Sequence, residues 1–380
     1  MLSAAELEQQ LLRFTRERLA EPEVSTSITV DTRLFEDRVI DSLKVLELIA
    51  FVQSALERKI PDAQIVLANF RTIATIARVF TGGEPVATLP KVRRPRVAAR
   101  EPAGGGGSAV RELMRRGEMQ LTAEGGLQLR GPVADLLDYF DRTAHCWALA
   151  LGATDAVFPE EISPTALERA GFMAAFPQKV VWAGHVARPP AVCYHHYPHF
   201  ADGVLDHSGS LVTAVGRCYR NEFDARSTHP AERLSAFTMR EVIAIGKANV
   251  VEGLRTDMMD RVTRWMKEIG IEGFIETATD PFFTTESKGR LLMQQMLPLK
   301  YELRLRVDDS GRTVAAASFN NHQDHFGKAF SIQFPSGEPA HSGCVAFGWE
   351  RWVIAFVNQH GPNEADWPAS TRANYVAATA

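Results

Sequence analysis

The residues whose types and spacing can do chemistry fall in three places along this 380-residue chain. The first is Asp41-Ser42-Leu43, at the mouth of the apolar run Val45, Leu46, Leu48, Ile49 and Val52. A residue at a helix start meets unpaired N–H groups and the positive dipole end, so Asp41 or Ser42 reads there as an N-cap. The second place is Arg220-x-Glu222, followed across a charged loop by Phe237 and Glu241. The third is HSGCVAFGWERWVIAF, where Gly343 and Gly348 lie on a turn or strand and Arg351 heads a helix. Plainer readings stand beside these: a surface ion pair on a strand for Arg220 and Glu222, a core ring for Phe237, a helix cap for Arg351. There is no Gly-x-x-x-x-Gly-Lys-Ser/Thr loop and no Gly-x-Gly-x-x-Gly after a strand, so any ATP must be held by side chains. Cys146, Cys193, Cys218 and Cys344 are widely scattered, which fits reduced thiols, as core residues or as ligands, better than a disulfide framework.

The elements that must position these residues divide at a linker. PVATLPKVRRPRVAAREPAGGGGS, residues 85–108, mixes prolines, five basic residues, one acid and a closing GGGGS that fits a natural or an engineered joint. Residues 1–84 read as a small helical bundle, with stripes at Leu7, Leu11, Leu12 and Phe14, then Val45 to Val52, then Ile73, Ile76, Ala77 and Phe80. Between the first two, Leu34 and Phe35 return the chain to the bundle. Thr72 or Arg71 begins the last helix and Gly82-Gly83 ends it. Residues 109–380 alternate β-rich runs (KVVWAGHVA, AVGRCYR, EVIAIG, YELRLRV, TVAAASF) with helices expected at Val133–Leu149, Val250–Ile269 and Trp349–Asn358. That is an α+β pattern.

Composition excludes some classes. With 45% hydrophobic and 23% charged residues and a net charge of −4, the chain suits a folded protein and carries no global bias toward nucleic acid. No apolar run approaches the roughly 18 residues that span a membrane. The N-terminus MLSAAELEQQLLRF reads as an amphipathic helix, not a signal peptide, so a cytoplasmic protein is expected.

DTRLFEDRVIDSLKVLELI and the ending FRTIATIARVF resemble the acyl and peptidyl carrier proteins across the whole first domain. The resemblance implies a 4'-phosphopantetheine arm on Ser42, where helix N–H groups favour a phosphodiester. In the second domain, RCYRNEF…FTMREVIAIG and HSGCVAFGWER resemble the second and third motifs of class II aminoacyl-tRNA synthetases, and DAVFPEEISPTALERAGFMAAFPQ the dimer-forming first motif around Pro159. The strings CYHHYP, DPFF, LKYEL, SFNNHQDHFG and EPAHSGCVAFGWER, within residues 136–368, are similar to a smaller group. These are truncated, zinc-dependent seryl-synthetase homologues that act as amino acid:[carrier protein] ligases.

That resemblance implies a class II antiparallel sheet with flanking helices and an AMP-forming ligase. It gives Arg220 the α-phosphate, where charge develops, Glu222 the adenine amino group, Phe237 the adenine ring and Arg351 the γ-phosphate. Zinc would be held by Cys193, Glu241 and Cys344, a set that spacing alone does not suggest. Asp280 and Lys300 face substrate or ATP, though Asp280 equally caps a turn before Pro281. His195, His196 and His199 offer a competing metal set without support from the family strings, Cys146 and Cys218 read as small core residues, and His322 and His325 stay without a role. The implied reaction activates glycine or alanine with ATP and Mg2+, then loads a phosphopantetheine thiol, on the fused carrier or, with the N-terminal bundle as a docking module, on a separate one. A homodimer is implied. Transfer to tRNA is the alternative that the missing coiled-coil arm disfavours.

Overall fold

A computed structural model describes residues 2–20, 25–35, 37, 39–40, 44–61, 64–86, 108–206, 208–221, 234–278, 299–308 and 310–372. Ser42, Glu222, Asp280 and most of the expected linker lie outside the described residues. Two compact units divide the chain: Met1–Val92 with Thr277–Leu299, and Arg93–Glu276 with Lys300–Ala380.

In the N-terminal unit, helix α1 (Ala4–Phe14) starts with a capping box. The Ser3 side chain accepts from the Glu6 N–H, and Glu6 accepts from the Ser3 N–H at 2.8 Å, a cap of about 1 kcal/mol. Leu7 and Leu11 are fully buried, and Phe14 stacks on Phe51 of α2 (Lys44–Ala55) with centroids 4.1 Å apart. Thr72 caps α3 (Ile73–Phe80) by accepting from the Thr75 N–H at 3.1 Å, and Ile73, Ile76, Ala77 and Phe80 fill the core. Gly82, at φ 126°, turns the chain so that the Gly83 N–H reaches the Arg78 carbonyl at 2.9 Å, a left-handed stop that suits glycine. Leu34 is fully buried and its N–H donates to the Arg71 carbonyl at 3.0 Å, which brings the long connection back as its apolar pair leads one to expect.

The second unit begins with α4 (Ser108–Arg115), the hairpin β1 (Met119–Leu121) and β2 (Leu127–Leu129), and α5 (Pro132–Ala150). Then come β3 (Thr154–Asp155), α6 (Pro164–Arg169), α7 (Phe172–Ala175), β4 (Trp182–Ala183), β5 (Val186–Ala187) and α8 (His196–His199). Long strands β6 (Ser210–Tyr219) and β7 (Ala236–Gly246) precede α9 (Ala248–Glu268) and β8 (Gly273–Thr277). Then follow β9 (Lys300–Arg306), β10 (Thr313–Gln323), α10 (His325–Ala329), β11 (His341–Gly348) and α11 (Trp349–His360), before two short 3-10 turns, Glu364–Asp366 and Ala369–Thr371.

Among the described residues, seven strands form one sheet in the order β3-β6-β7-β11-β10-β9-β8. The β3–β6 pair is parallel, while β6–β7, β7–β11, β11–β10 and β10–β9 are antiparallel. Strand alternation sends Val242, Ala244, Phe319, Val345 and Phe347 into a core with Phe140, Trp265, Trp352 and Phe356 of α5, α9 and α11. Glu241, Asn320, Cys344 and Lys300 fall on the opposite face, since Asn320 pairs with both Cys344 and Lys300. A partly buried ion pair fastens helix to sheet: Arg240 donates to both Asp141 oxygens at 2.7 and 2.6 Å, and Trp349 Nε1 donates to Asp141 at 2.8 Å.

Two expectations fail locally. KVVWAGHVA is not one strand, because Gly184 at φ 67° folds it back into the β4–β5 pair. Cys146 is exposed, not core: on α5 the buried positions flanking it are Ala144 and Ala148, and a residue midway between them lies on the outer face. Cys218 is fully buried as expected.

Candidate active site and metal centre

The core-averted face of the sheet gathers the candidates. Glu241 on β7 and Cys344 on β11 sit two residue pairs apart in register and so share a face, because Glu241 pairs with Ala346 and Cys344 with Ile243. Cys193 enters from the turn Val192–His195. The ligand atoms of Cys193, Glu241 and Cys344 all lie within 4.8 Å of one another, and all three residues are buried. The Cys193 N–H donates to Glu241 Oε2, and Glu241 Oε1 lies 3.4 Å from the Cys344 sulfur. Asn320 Nδ2 reaches that sulfur at 3.3 Å.

Electrostatics bear on whether a cation fits. Burial pushes the Glu241 carboxyl up, against the hydrogen bonds from Cys193. The Cys193 thiol is raised first by its hydrogen bond with Cys344 and then by burial and the Glu241 charge. For Cys344 the bond with Cys193 acts downward, but burial and Glu241 outweigh it and the thiol is also raised. Each of these three enclosed acids is shifted toward its neutral form, because each charge would be buried beside the others. A divalent cation would reverse that, and two sulfurs with one carboxylate oxygen is a donor set suited to zinc.

Toward the β6 end, Arg220 donates Nε to the Pro190 carbonyl at 3.0 Å, and its guanidinium lies 5.1 Å over the Phe237 ring. Arg351, in the first turn of α11, donates to the Ala315 carbonyl of β10 at 2.7 Å. Lys300 pairs with Glu302 at 2.6 Å on β9. The structure therefore brings Cys193, Glu241 and Cys344 into one cluster and Arg220 against Phe237, while Arg351 and Lys300 each hold a separate partner.

The competing histidines go elsewhere. His195 stacks on Phe158 with centroids 5.5 Å apart, His196 Nε2 bonds Ser210 at 3.0 Å, and His199 meets Phe200 edge-on at 4.9 Å. Sequence reasoning missed three neighbours. Asn320 touches Cys344, and His322, which was left without a role, lies 3.8 Å from the same sulfur through Nε2. Burial holds the His322 imidazole down at about 3, so the ring is neutral. Glu350, just before Arg351, accepts from the Thr238 N–H at 2.8 Å, the Thr238 hydroxyl at 3.0 Å and Arg217 at 3.0 Å, tying α11 to the strand that bears Phe237. Only its place in a helix's first turn hinted at that.

No protein-family model matches the chain. Over 184 residues, 48% of its length, it is 36% identical to amino acid--[acyl-carrier-protein] ligase 1 of Bradyrhizobium diazoefficiens and 37% identical to ligase 2. It spans about half of these curated relatives, 55% and 54% of their lengths. A type-2 serine--tRNA ligase of Methanococcus maripaludis is 30% identical over 186 residues, 47% of this chain and 36% of that protein. Among solved structures, M. kandleri SerRS, in complex with A. aeolicus tRNASec, superposes with a TM-score of 0.63 at 21% identity, over 79% of this chain and 66% of that one. Prolyl-tRNA synthetase from Cryptosporidium parvum gives a TM-score of 0.55 at 14% identity, over 70% and 55% of the two chains. The chain therefore carries an α+β fold like that of a class II synthetase catalytic domain, with helices at its N-terminus.

Proposed function

We propose that the chain is an amino acid:[carrier protein] ligase. It activates a small amino acid, of glycine or alanine type, with ATP and Mg2+, and passes the aminoacyl group to a phosphopantetheine thiol. In this reading the N-terminal unit is the carrier, with its arm on Ser42, residues 85–108 are the tether and residues 109–380 are the ligase. The observation that carries the reading is the buried Cys193–Glu241–Cys344 cluster, on the sheet face that also presents Arg220, in a chain related to carrier-protein ligases.

Cys193, Glu241 and Cys344 would hold zinc, which when bound takes an α-amine in its remaining position and so selects amino acids over hydroxy acids. The substrate carboxylate oxygen then bonds to the α-phosphorus of ATP, and the bond from that phosphorus to the bridging oxygen breaks, releasing pyrophosphate. Arg220 is the fixed cation for charge growing on the α-phosphate, and Arg351 holds the γ-phosphate. Phe237 and Glu222 receive the adenine, and Asp280 and Lys300 line the substrate side. In the second half-reaction the thiol gives up its proton, its sulfur bonds to the aminoacyl carbonyl carbon, and AMP leaves. Val157, 96% exposed and two residues before Pro159, supports a homodimer through that segment. The four free cysteines support a reducing, cytoplasmic setting.

The test is to phosphopantetheinylate the protein, supply ATP and each amino acid in turn, and weigh it intact. An aminoacyl increment that depends on Ser42 and appears with glycine or alanine is expected. Transfer only to a separately added carrier protein would reassign the N-terminal unit, and acylated tRNA with no thioester would overturn the ligase reading.

A further inference from the structure

We propose that His322 is a positioning residue of the metal centre, its imidazole donating Nε2–H to the Cys344 sulfur while Nδ1 is fixed by Tyr197 and Ser342. The inference rests on the reading of Cys193, Glu241 and Cys344 as metal ligands.

Geometry carries it. Asn320 pairs with Cys344 and Asn321 with Gly343, but Ser342 pairs with Gln323, so His322 is the extra residue of a β-bulge. A bulge re-aims one side chain at the cost of local ladder bonds. Here Gln323 takes φ 52° and its N–H is held by Asn321 Oδ1 at 2.9 Å, so the distortion is built in beside the histidine. The ring that results is buried and gripped on each side. Nε2 lies 3.8 Å from the Cys344 sulfur, and Nδ1 lies 3.3 Å from the Tyr197 hydroxyl and 3.4 Å from the Ser342 hydroxyl. Phe326 meets the ring edge-on at 4.9 Å and stacks on Tyr197 at 4.0 Å, fixing both.

The tautomer follows from the partners. Two hydroxyls face Nδ1; Tyr197 also bonds the Cys193 side chain, so Ser342 is the hydroxyl placed to donate to Nδ1. Nδ1 is then the acceptor, and the one ring proton sits on Nε2, toward sulfur. The chemistry gives that proton a purpose. Two thiolates and a carboxylate around a divalent cation leave one net negative charge in a buried place, and N–H donors to sulfur spread it. Cys344 takes such a donor from Asn320 at 3.3 Å and, on this proposal, a second from His322.

The experiment uses the full chain with Co2+ in place of Zn2+, and reads the sulfur-to-cobalt charge-transfer band together with zinc affinity by chelator competition. His322→Leu is expected to move the band to lower energy, since a thiolate stripped of a donor gives up its electrons more readily, and to weaken zinc binding by about ten- to a hundredfold. His322→Gln, which keeps an N–H near the sulfur, is expected to restore most of both. An unmoved band with unchanged affinity in His322→Leu overturns the inference. Should that variant fail to fold, the Ser342→Ala protein decides it: the ring keeps its place but loses the hydroxyl that sets its tautomer, a shifted band is expected, and an unshifted one overturns the inference. Wild-type protein that binds neither metal through sulfur overturns the metal reading itself, which is a different result from either.

Discussion

His196 sits three residues from Cys193, is 4% exposed, and bonds Ser210 at 3.0 Å. Burial first, and the nearby His199 second, hold its pKa down at about 4 against an ordinary 6.5. Since the folded value is the lower one, the stability linked to this proton is fully present above pH 6.5. It is lost as pH falls from 6.5 toward about 4, where the unfolded chain takes up a proton that the folded one refuses. The effect is on the order of 3 kcal/mol. His196→Gln, which keeps a donor near Ser210 and cannot titrate, should therefore show a smaller drop in urea midpoint between pH 7.5 and pH 5 than wild type, both measured with chelator present. Equal drops would assign the acid sensitivity to other groups. At this scale the sequence was partly legible. Cys193, Glu241 and Cys344 were named from motif likeness although 48 and 103 residues separate the later two from partners in the trio. His322 was invisible because its meaning depends on a bulge, and a bulge is a property of two strands, not of one segment.

The sheet makes the site, and one of its close approaches, next to the candidate ligands, is at Gly343. A Cβ there would lie 2.5 Å from Val251 Cγ1 of α9 and 2.6 Å from the Asn320 carbonyl oxygen of β10. The second neighbour is backbone, so the β10–β11 pair must part, next to Asn320 and Cys344. Gly343→Ala is expected to cost about 1–3 kcal/mol and to weaken zinc binding, read by thermal melting and chelator competition. A melting point and affinity equal to wild type would show that the strands absorb the methyl without moving the ligands. Most single elements could be read beforehand: β6, β7, β9, β10, α5, α9 and α11 all lie on the runs whose periodicity marked them. The order β6-β7-β11-β10-β9 could not, because it joins strands up to about a hundred residues apart and no local pattern encodes which edge pairs with which. The short β4–β5 turn was missed for the opposite reason, since Gly184 interrupts a run whose composition otherwise reads as continuous strand.

At the scale of the whole chain, a helical N-terminal unit and a unit with a synthetase-like fold share one polypeptide, and on the proposed reading the first is a carrier and the stretch between them its tether. The helical texture of the first unit and the α+β texture of the second were both plain in composition and periodicity, whereas Ser42 and most of the tether fall outside the described residues, so their roles are argued from sequence alone. Twenty-four residues of flexible chain have a root-mean-square span of roughly 27 Å and a contour of about 80 Å. Such a tether would present the arm at about millimolar effective concentration. Loading of Ser42 by its own ligase should then follow a first-order rate that stays constant as protein is diluted from micromolar to nanomolar, read by intact mass on quenched samples. Mixing a Ser42→Ala protein, which keeps the ligase, with an Arg220→Ala protein, which keeps the arm, separates the two intramolecular routes. No thioester is expected if each chain loads itself, and thioester that appears only as subunits exchange would place loading across a dimer. A rate that rises in proportion to concentration would mean that the tether confers no advantage and that the carrier is served as a free partner.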